Sequence, residues 1–127
     1  DPDNPKISVY PSTTKDGRFL MIYRSKGTYG RSLMVKDLEL PGSQFITIVD
    51  DYDTDIRVVD NLDGELIAIT DRKSPKKRVV LIDLNNPKED QWKTIIPENE
   101  NVLTSVNMIN EKLVAHYMVD IISEWVN

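Results

Sequence analysis

Asp50-Asp51-Tyr52-Asp53-Thr54-Asp55 packs four carboxylates into six residues. Those at 51, 53 and 55 repeat the spacing of the first ligands of an EF-hand calcium loop. The remainder of that loop is missing. With Asp51 as first ligand, Ile56 stands at the turn glycine and Leu62 at the bidentate glutamate, so no metal is expected and the run reads as a solvated connection. The opposite charge gathers in Arg72-Lys73-Ser74-Pro75-Lys76-Lys77-Arg78, between two apolar runs. Its Ser-Pro favours a turn, so the cluster reads as a solvated hairpin loop rather than a partner patch. His116 is the sole histidine, and there is no cysteine. That removes disulfides, thiolate zinc sites and cysteine nucleophiles. His116 lies in an apolar run with no serine at nucleophile-elbow spacing nearby, so a triad of nucleophile, base and orienting acid has no basis here.

The balance of charge narrows the partners further. Sixteen Lys and Arg against 21 Asp and Glu give a net charge of −5 and a pI near 4.8. A phosphate backbone needs a cationic face, so nucleic acid is not an expected partner. No apolar stretch approaches the ~20 residues that span a bilayer, and no basic start leads into an apolar signal core, so no membrane partner is expected either. Hydrophobic content of 39% with 29% charged residues belongs to folding sequence.

The elements that must position these groups come as a repeat. Gly17, in Lys15-Asp16-Gly17-Arg18-Phe19-Leu20-Met21-Ile22, returns 47 positions later as Gly64 in Leu62-Asp63-Gly64-Glu65-Leu66-Ile67-Ala68-Ile69. Another 47 positions on, Glu111 takes the glycine's place before Leu113-Val114-Ala115. Phe45 and Trp92, and Thr47 and Thr94, keep the same interval. A period of 40–50 residues suits a four-stranded propeller blade. β-branched and aromatic runs bounded by Gly, Pro, Asn or Asp give the strands. The first unit spans Ile7–Thr13, Phe19–Arg24, Ser32–Leu38 and Phe45–Val49; the second Ile56–Val59, Glu65–Thr70, Arg78–Leu84 and Trp92–Ile96. Val102–Met108, Leu113–Met118 and Ile121–Val126 begin a third, which ends in mid-blade. The expected fold is therefore all-β, about two and a half four-stranded antiparallel blades at 6–50, 55–97 and 101–127, with little helix. Leu20-Met21-Ile22, Leu66-Ile67-Ala68-Ile69 and Leu113-Val114-Ala115 are apolar enough for burial on both faces between sheets.

Thr70-Asp71-Arg72-Lys73-Ser74-Pro75-Lys76-Lys77-Arg78-Val79-Val80-Leu81-Ile82-Asp83-Leu84 leads into Asn86-Pro87-Lys88-Glu89-Asp90-Gln91-Trp92-Lys93 and Ile96-Pro97-Glu98. In order and spacing this resembles the propeller domain of the prolyl oligopeptidase family of serine peptidases, with its Arg-x-Ser-Pro loop, Ile-Asp strand, acidic Pro loop, Trp-Lys and Val/Ile-Pro-Glu. Asp16-Gly17-Arg18-Phe19-Leu20 and Leu113-Val114-Ala115-His116-Tyr117-x-x-Asp120 extend the likeness to nearly the whole chain.

The resemblance implies a seven-bladed propeller, of which this chain would be roughly blades three to five, set over an α/β-hydrolase domain that cuts peptides after proline. The propeller would act as lid and size filter. The implied partners are oligopeptide substrates and the protein's own C-terminal hydrolase domain, with no cofactor. The family's serine sits in a G-x-S-x-G elbow; none occurs here, so this chain alone should not hydrolyse peptides. His116 is left a strand or tunnel-lining role, and Trp92 and Trp125 read as packing residues. Tyr23-Arg24-Ser25-Lys26-Gly27 resembles the place of a family arginine that points to the substrate side, which would make Arg24 that residue. It reads either as a substrate contact through its planar fork or as a surface arginine without a ligand. A non-enzymatic propeller scaffold for protein partners is the alternative. Either way, blades cut from their neighbours leave apolar faces and strand edges uncovered, and self-association is expected.

Overall fold

The computed structural model describes residues 7–109 and 112–117. Ten strands follow in chain order: β1 (Ser8–Thr13), β2 (Phe19–Ser25), β3 (Ser32–Asp37), β4 (Ile46–Val49), β5 (Ile56–Leu62), β6 (Glu65–Thr70), β7 (Arg78–Ile82), β8 (Lys93–Ile96), β9 (Leu103–Ile109) and β10 (Lys112–Tyr117). They form antiparallel sheets β1-β2-β3-β4, β5-β6-β7-β8 and β9-β10. The helix content among the described residues is one 3-10 turn, Glu89–Gln91. The strand that sequence places at Ile121–Val126, together with Trp125, lies outside the described residues.

Strand boundaries fall within two residues of the sequence reading except at β5, which runs three residues past Val59. Asp60 and Asn61 look like loop residues, yet a bulge after Val58 absorbs the mismatch and Leu62 pairs directly with Glu65. The turn dictates this. Asp63 (φ 51°) and Gly64 (φ 85°) are both left-handed, as a two-residue type I′ hairpin requires, and such a turn keeps its flanking residues paired.

Alternation along each strand sorts side chains between two cores. Phe19, Met21 and Tyr23 of β2 with Leu33 and Val35 of β3 face Leu66, Ala68, Val80 and Ile82 of the second sheet, and Trp92 closes the layer. Their opposite neighbours Ile67, Ile69 and Val79 face Leu103 and Val106 of the third sheet. The second sheet is thus covered on both faces, and every residue of β6 after Glu65 is buried. β2 is otherwise: it alternates buried and half-buried, with Leu20 and Ile22 only half covered. The expectation of burial on both faces is corrected for Leu113-Val114-Ala115, whose Val114 is 37% exposed, and for the Leu20-Met21-Ile22 strand. No sheet lies against its far side among the described residues.

Strand direction puts the connections on two rims. Residues 26–31, 50–55, 71–77 and 97–102 gather at one, and 14–18, 38–45, 63–64 and 83–92 leave from the other.

Candidate functional site

The first rim collects both charge clusters that the sequence singles out. Arg72 follows β6 directly and its guanidinium, planar and five-pronged, is filled by acceptors from separate segments. Nη1 and Nη2 donate to Asp51 Oδ1 and Oδ2 at 3.0 and 2.9 Å, Nη1 also to Thr54 Oγ1 at 3.2 Å, and Nε to Glu89 Oε1 at 2.5 Å. Lys73 Nζ adds a 3.1 Å ion pair to Glu89. The hydrogen bonds to Arg72 hold the Asp51 and Glu89 carboxyls below their ordinary range, and the guanidinium proton is held more tightly in return, first by Asp51. Asp51 follows β4 of the first sheet, and Glu89 lies in the 3-10 turn of the 83–92 connection, which leaves the opposite rim and reaches back to Arg72. Arg72, just after β6, ties the two together.

A second clamp crosses the same seam. Asp55 Oδ1 accepts the Gly30 N–H at 2.9 Å, its own N–H donates to Asp71 Oδ1 at 2.8 Å, and its carbonyl accepts the Thr70 hydroxyl at 2.6 Å. Tyr29 donates its hydroxyl to Asp71 Oδ2; that bond first, with burial and nearby carboxylates adding, pushes the phenol up to about 12. Gly30 sits at φ 85°, and a Cβ there would lie 1.9 Å from the Tyr52 carbonyl oxygen. Only glycine permits so close an approach. Beneath the rim, the Val58 N–H donates to the buried Tyr23 hydroxyl at 2.8 Å. Toward the third sheet, Lys76 donates its N–H to Glu98 Oε2 and its ammonium to the Glu100 carbonyl, and its own carbonyl accepts from Leu103 N–H.

These contacts correct two expectations. The 50–55 run is a hydrogen-bonded strut rather than a solvated connection, and the 72–78 loop is a junction whose Ser74 is buried. No group of three or more potential metal ligands assembles among the described residues. Sequence could not find the clamp because Arg72 lies 21 residues from Asp51 and 17 from Glu89. The one signal was the presence of clusters of opposite charge, four carboxylates at 50–55 and five cations at 72–78.

Arg24 lies at the end of β2 beside this rim, exposed, paired across the strands with Val9 and Ser32. Its side chain has no ion pair or hydrogen bond among the described residues. Arg31 of the first sheet's β2–β3 connection, Asp55, Arg57 and Lys77 of the second unit and Thr104 of the third sheet border a notch of about 100 Å³. Arg31 Nε is 3.7 Å from Asp55, leaving Arg57 and Lys77 without an ion pair among the described residues. The rim can therefore hold an anionic or carbonyl group, and among the described residues it presents no nucleophile and base in contact. His116 is exposed on β10 opposite Ser105, and its carbonyl, not its imidazole, takes the Thr104 hydroxyl. Trp92 is buried, as expected, with Nε1 donating to the Pro87 carbonyl at 2.9 Å.

Comparison with known proteins agrees with this architecture. The family model for the prolyl oligopeptidase N-terminal β-propeller domain matches residues 1–125. The prolyl endopeptidase of Elizabethkingia meningoseptica is 32% identical over 120 residues, 94% of this chain and 17% of that protein. The dual function macrocyclase-peptidase of Galerina marginata is 30% identical over 119 residues, 88% of this chain and 16% of that protein. The solved apo structure of prolyl oligopeptidase B from the same fungus superimposes with a TM-score of 0.76 at 27% identity, covering 92% of this chain and 17% of that one. The chain thus spans about 17% of the length of the curated relatives it matches. By its strand repeat, its stacked antiparallel sheets and this match along nearly its full length, the chain belongs to the N-terminal β-propeller domain of the prolyl oligopeptidase family.

Proposed function

We propose that this chain is the gating part of a serine peptidase that cleaves short peptides after proline. It supplies blades at 6–50 and 55–97 and part of a third at 101–127, while a C-terminal hydrolase domain outside it carries the nucleophile, base and acid. The observation that carries this reading is the stacking of sheets through cores on both faces of the second one, with the seams of one rim locked by the Arg72 and Asp55 clamps. A wall held in that way resists parting, and a wall that does not part can select by size. Arg24, exposed and uncommitted at the same rim, is the contact for a substrate carbonyl or carboxylate. Taken alone, the chain has no peptidase activity and associates through its uncovered faces.

The test is the protein encoded by the whole reading frame, assayed with a short proline-containing peptide and with a folded protein of similar cleavage sequence. Cleavage of the first and sparing of the second is expected, with KM raised several-fold and kcat held in Arg24→Ala. A reading frame of further blades with no hydrolase domain, or equal cleavage of both substrates, overturns the gate.

A further inference from the structure

The opposite rim carries a feature that gating does not use. A groove of about 840 Å³ opens there between the first and second sheets, within the size range of ligand sites. One wall is the 38–45 connection of the first sheet, with Leu40 59% and Phe45 43% exposed; Leu84 adds an apolar surface from the second. The other wall brings Asp63, Glu65 and Asp83, none of which has an ion pair among the described residues. Asp83 Oδ1 accepts the Asn85 N–H, leaving its other oxygen uncommitted in the hydrogen bonds of the described residues.

The groove already seats one cation of this chain. Arg18 donates from Nε and Nη2 to Asp37 Oδ1 and Oδ2 at 3.3 and 3.1 Å, lies 4.8 Å from the centroid of the Phe19 ring, and brings its guanidinium against Gly64, within 3.6 to 4.0 Å of where a Cβ would stand. Asp37 and Arg18 offset one another, so the groove keeps three carboxylates beyond its own cation. Exposed apolar side chains flanked by unneutralised carboxylates suit a ligand that is itself apolar and cationic. Lys and Arg have this character within one side chain, an alkyl stem below a charged head.

We propose that this groove is a docking site for a peptide segment of a partner protein in which lysine or arginine alternates with large apolar residues. The head groups meet Asp63, Glu65 and Asp83, and the apolar residues cover Leu40, Phe45 and Leu84. The site lies on the rim opposite Arg24, so it adds to the gate rather than depending on it.

The test is fluorescence anisotropy of this chain with a labelled six-residue peptide of alternating Arg and Leu, against the same peptide with Glu for Arg. The basic peptide is expected to bind at least about tenfold more tightly, with affinity falling as salt is raised. Asp63→Asn/Glu65→Gln/Asp83→Asn should cost about tenfold, and Phe45→Ala should weaken binding without changing the salt dependence. A Glu65→Lys/Asp83→Lys variant should reverse the preference. Equal binding of both peptides, or unchanged binding by the neutralised variant with its circular dichroism intact, overturns the proposal. So does sedimentation showing that neutralisation dissolves an oligomer, since the occupant would then be a second copy of this chain.

Discussion

β2 and β6 hold the same place in consecutive sheets, 47 residues apart, and their sequences are about equally apolar. Yet Ile67 is fully buried while its counterpart Leu20 is half covered. Trp92 is buried at 7% exposure where its counterpart Phe45 stands 43% exposed. Burial on both faces is thus a property of position in the stack: the second sheet has a neighbour on each side, and among the described residues the first has one. The comparison also separates two kinds of join. Apolar layers hold the sheets through their middle, where the attraction is non-directional. At the rim, charged hydrogen bonds between named atoms fix which loop meets which.

The largest expected effect sharpens the rim side of this comparison. Gly30→Ala combines a left-handed backbone with a Cβ driven into the Tyr52 carbonyl, and should destabilise by ~3 kcal/mol or more. Gly17→Ala has a similar φ of 76° with nothing within 4 Å and should cost only ~1 kcal/mol. Urea unfolding of the two variants side by side measures the difference; equal losses would mean that the approach to Tyr52 is relaxed in solution.

Next comes the pair that tests the stack. Ile67→Ala should cost ~3 kcal/mol through lost burial and a cavity, whereas Leu20→Ala, at the equivalent place in the first sheet, should cost ~1 kcal/mol. If another copy or another segment covers the first sheet in solution, the gap closes, and sedimentation at two concentrations tells which.

Arg72→Met keeps much of the side chain's bulk but leaves Asp51 and Glu89 without their partner. A loss of ~2 kcal/mol is expected, tempered by solvent around Asp51, whose side chain is 38% exposed. Hydrogen exchange should rise at the 50–55 and 71–77 connections before it rises in β6 or β7. Uniform exchange would mean that the clamp and the apolar layers unfold as one unit.

The smallest effect is spread over pH. Asp16, in the β1–β2 turn, is held at about 2 by the Thr14 hydroxyl first and then by Asn61 and the Arg18 N–H, and Asp37, Asp51 and Glu89 are lowered by their arginines. A carboxylate more acidic when folded stabilises the fold above its unfolded pKa, near 4, and that stabilisation disappears as pH falls toward the folded value. Melting temperature should hold from pH 7 to about 5 and then drop between about pH 4 and 2. Arg72→Met should flatten the part of that drop due to Asp51 and Glu89, and a profile unchanged by it would remove the clamp as a source of acid sensitivity.

The period and the strands, apart from the last three residues of β5, were legible in the chain because each is local. Alternating apolar residues and turn residues state their preferences within a few positions. The motif running from Thr70 to Glu98 carried the family. What sequence could not decide is which loops meet. Asp51 and Arg72 read as solvated charges until packing brings them, with Glu89, within hydrogen-bonding distance. Arg24 and Arg72 have the same side chain; tertiary contacts commit the second and leave the first exposed. Short-range preference determines what a segment becomes, and partners distant in sequence become visible only when packing excludes water between them.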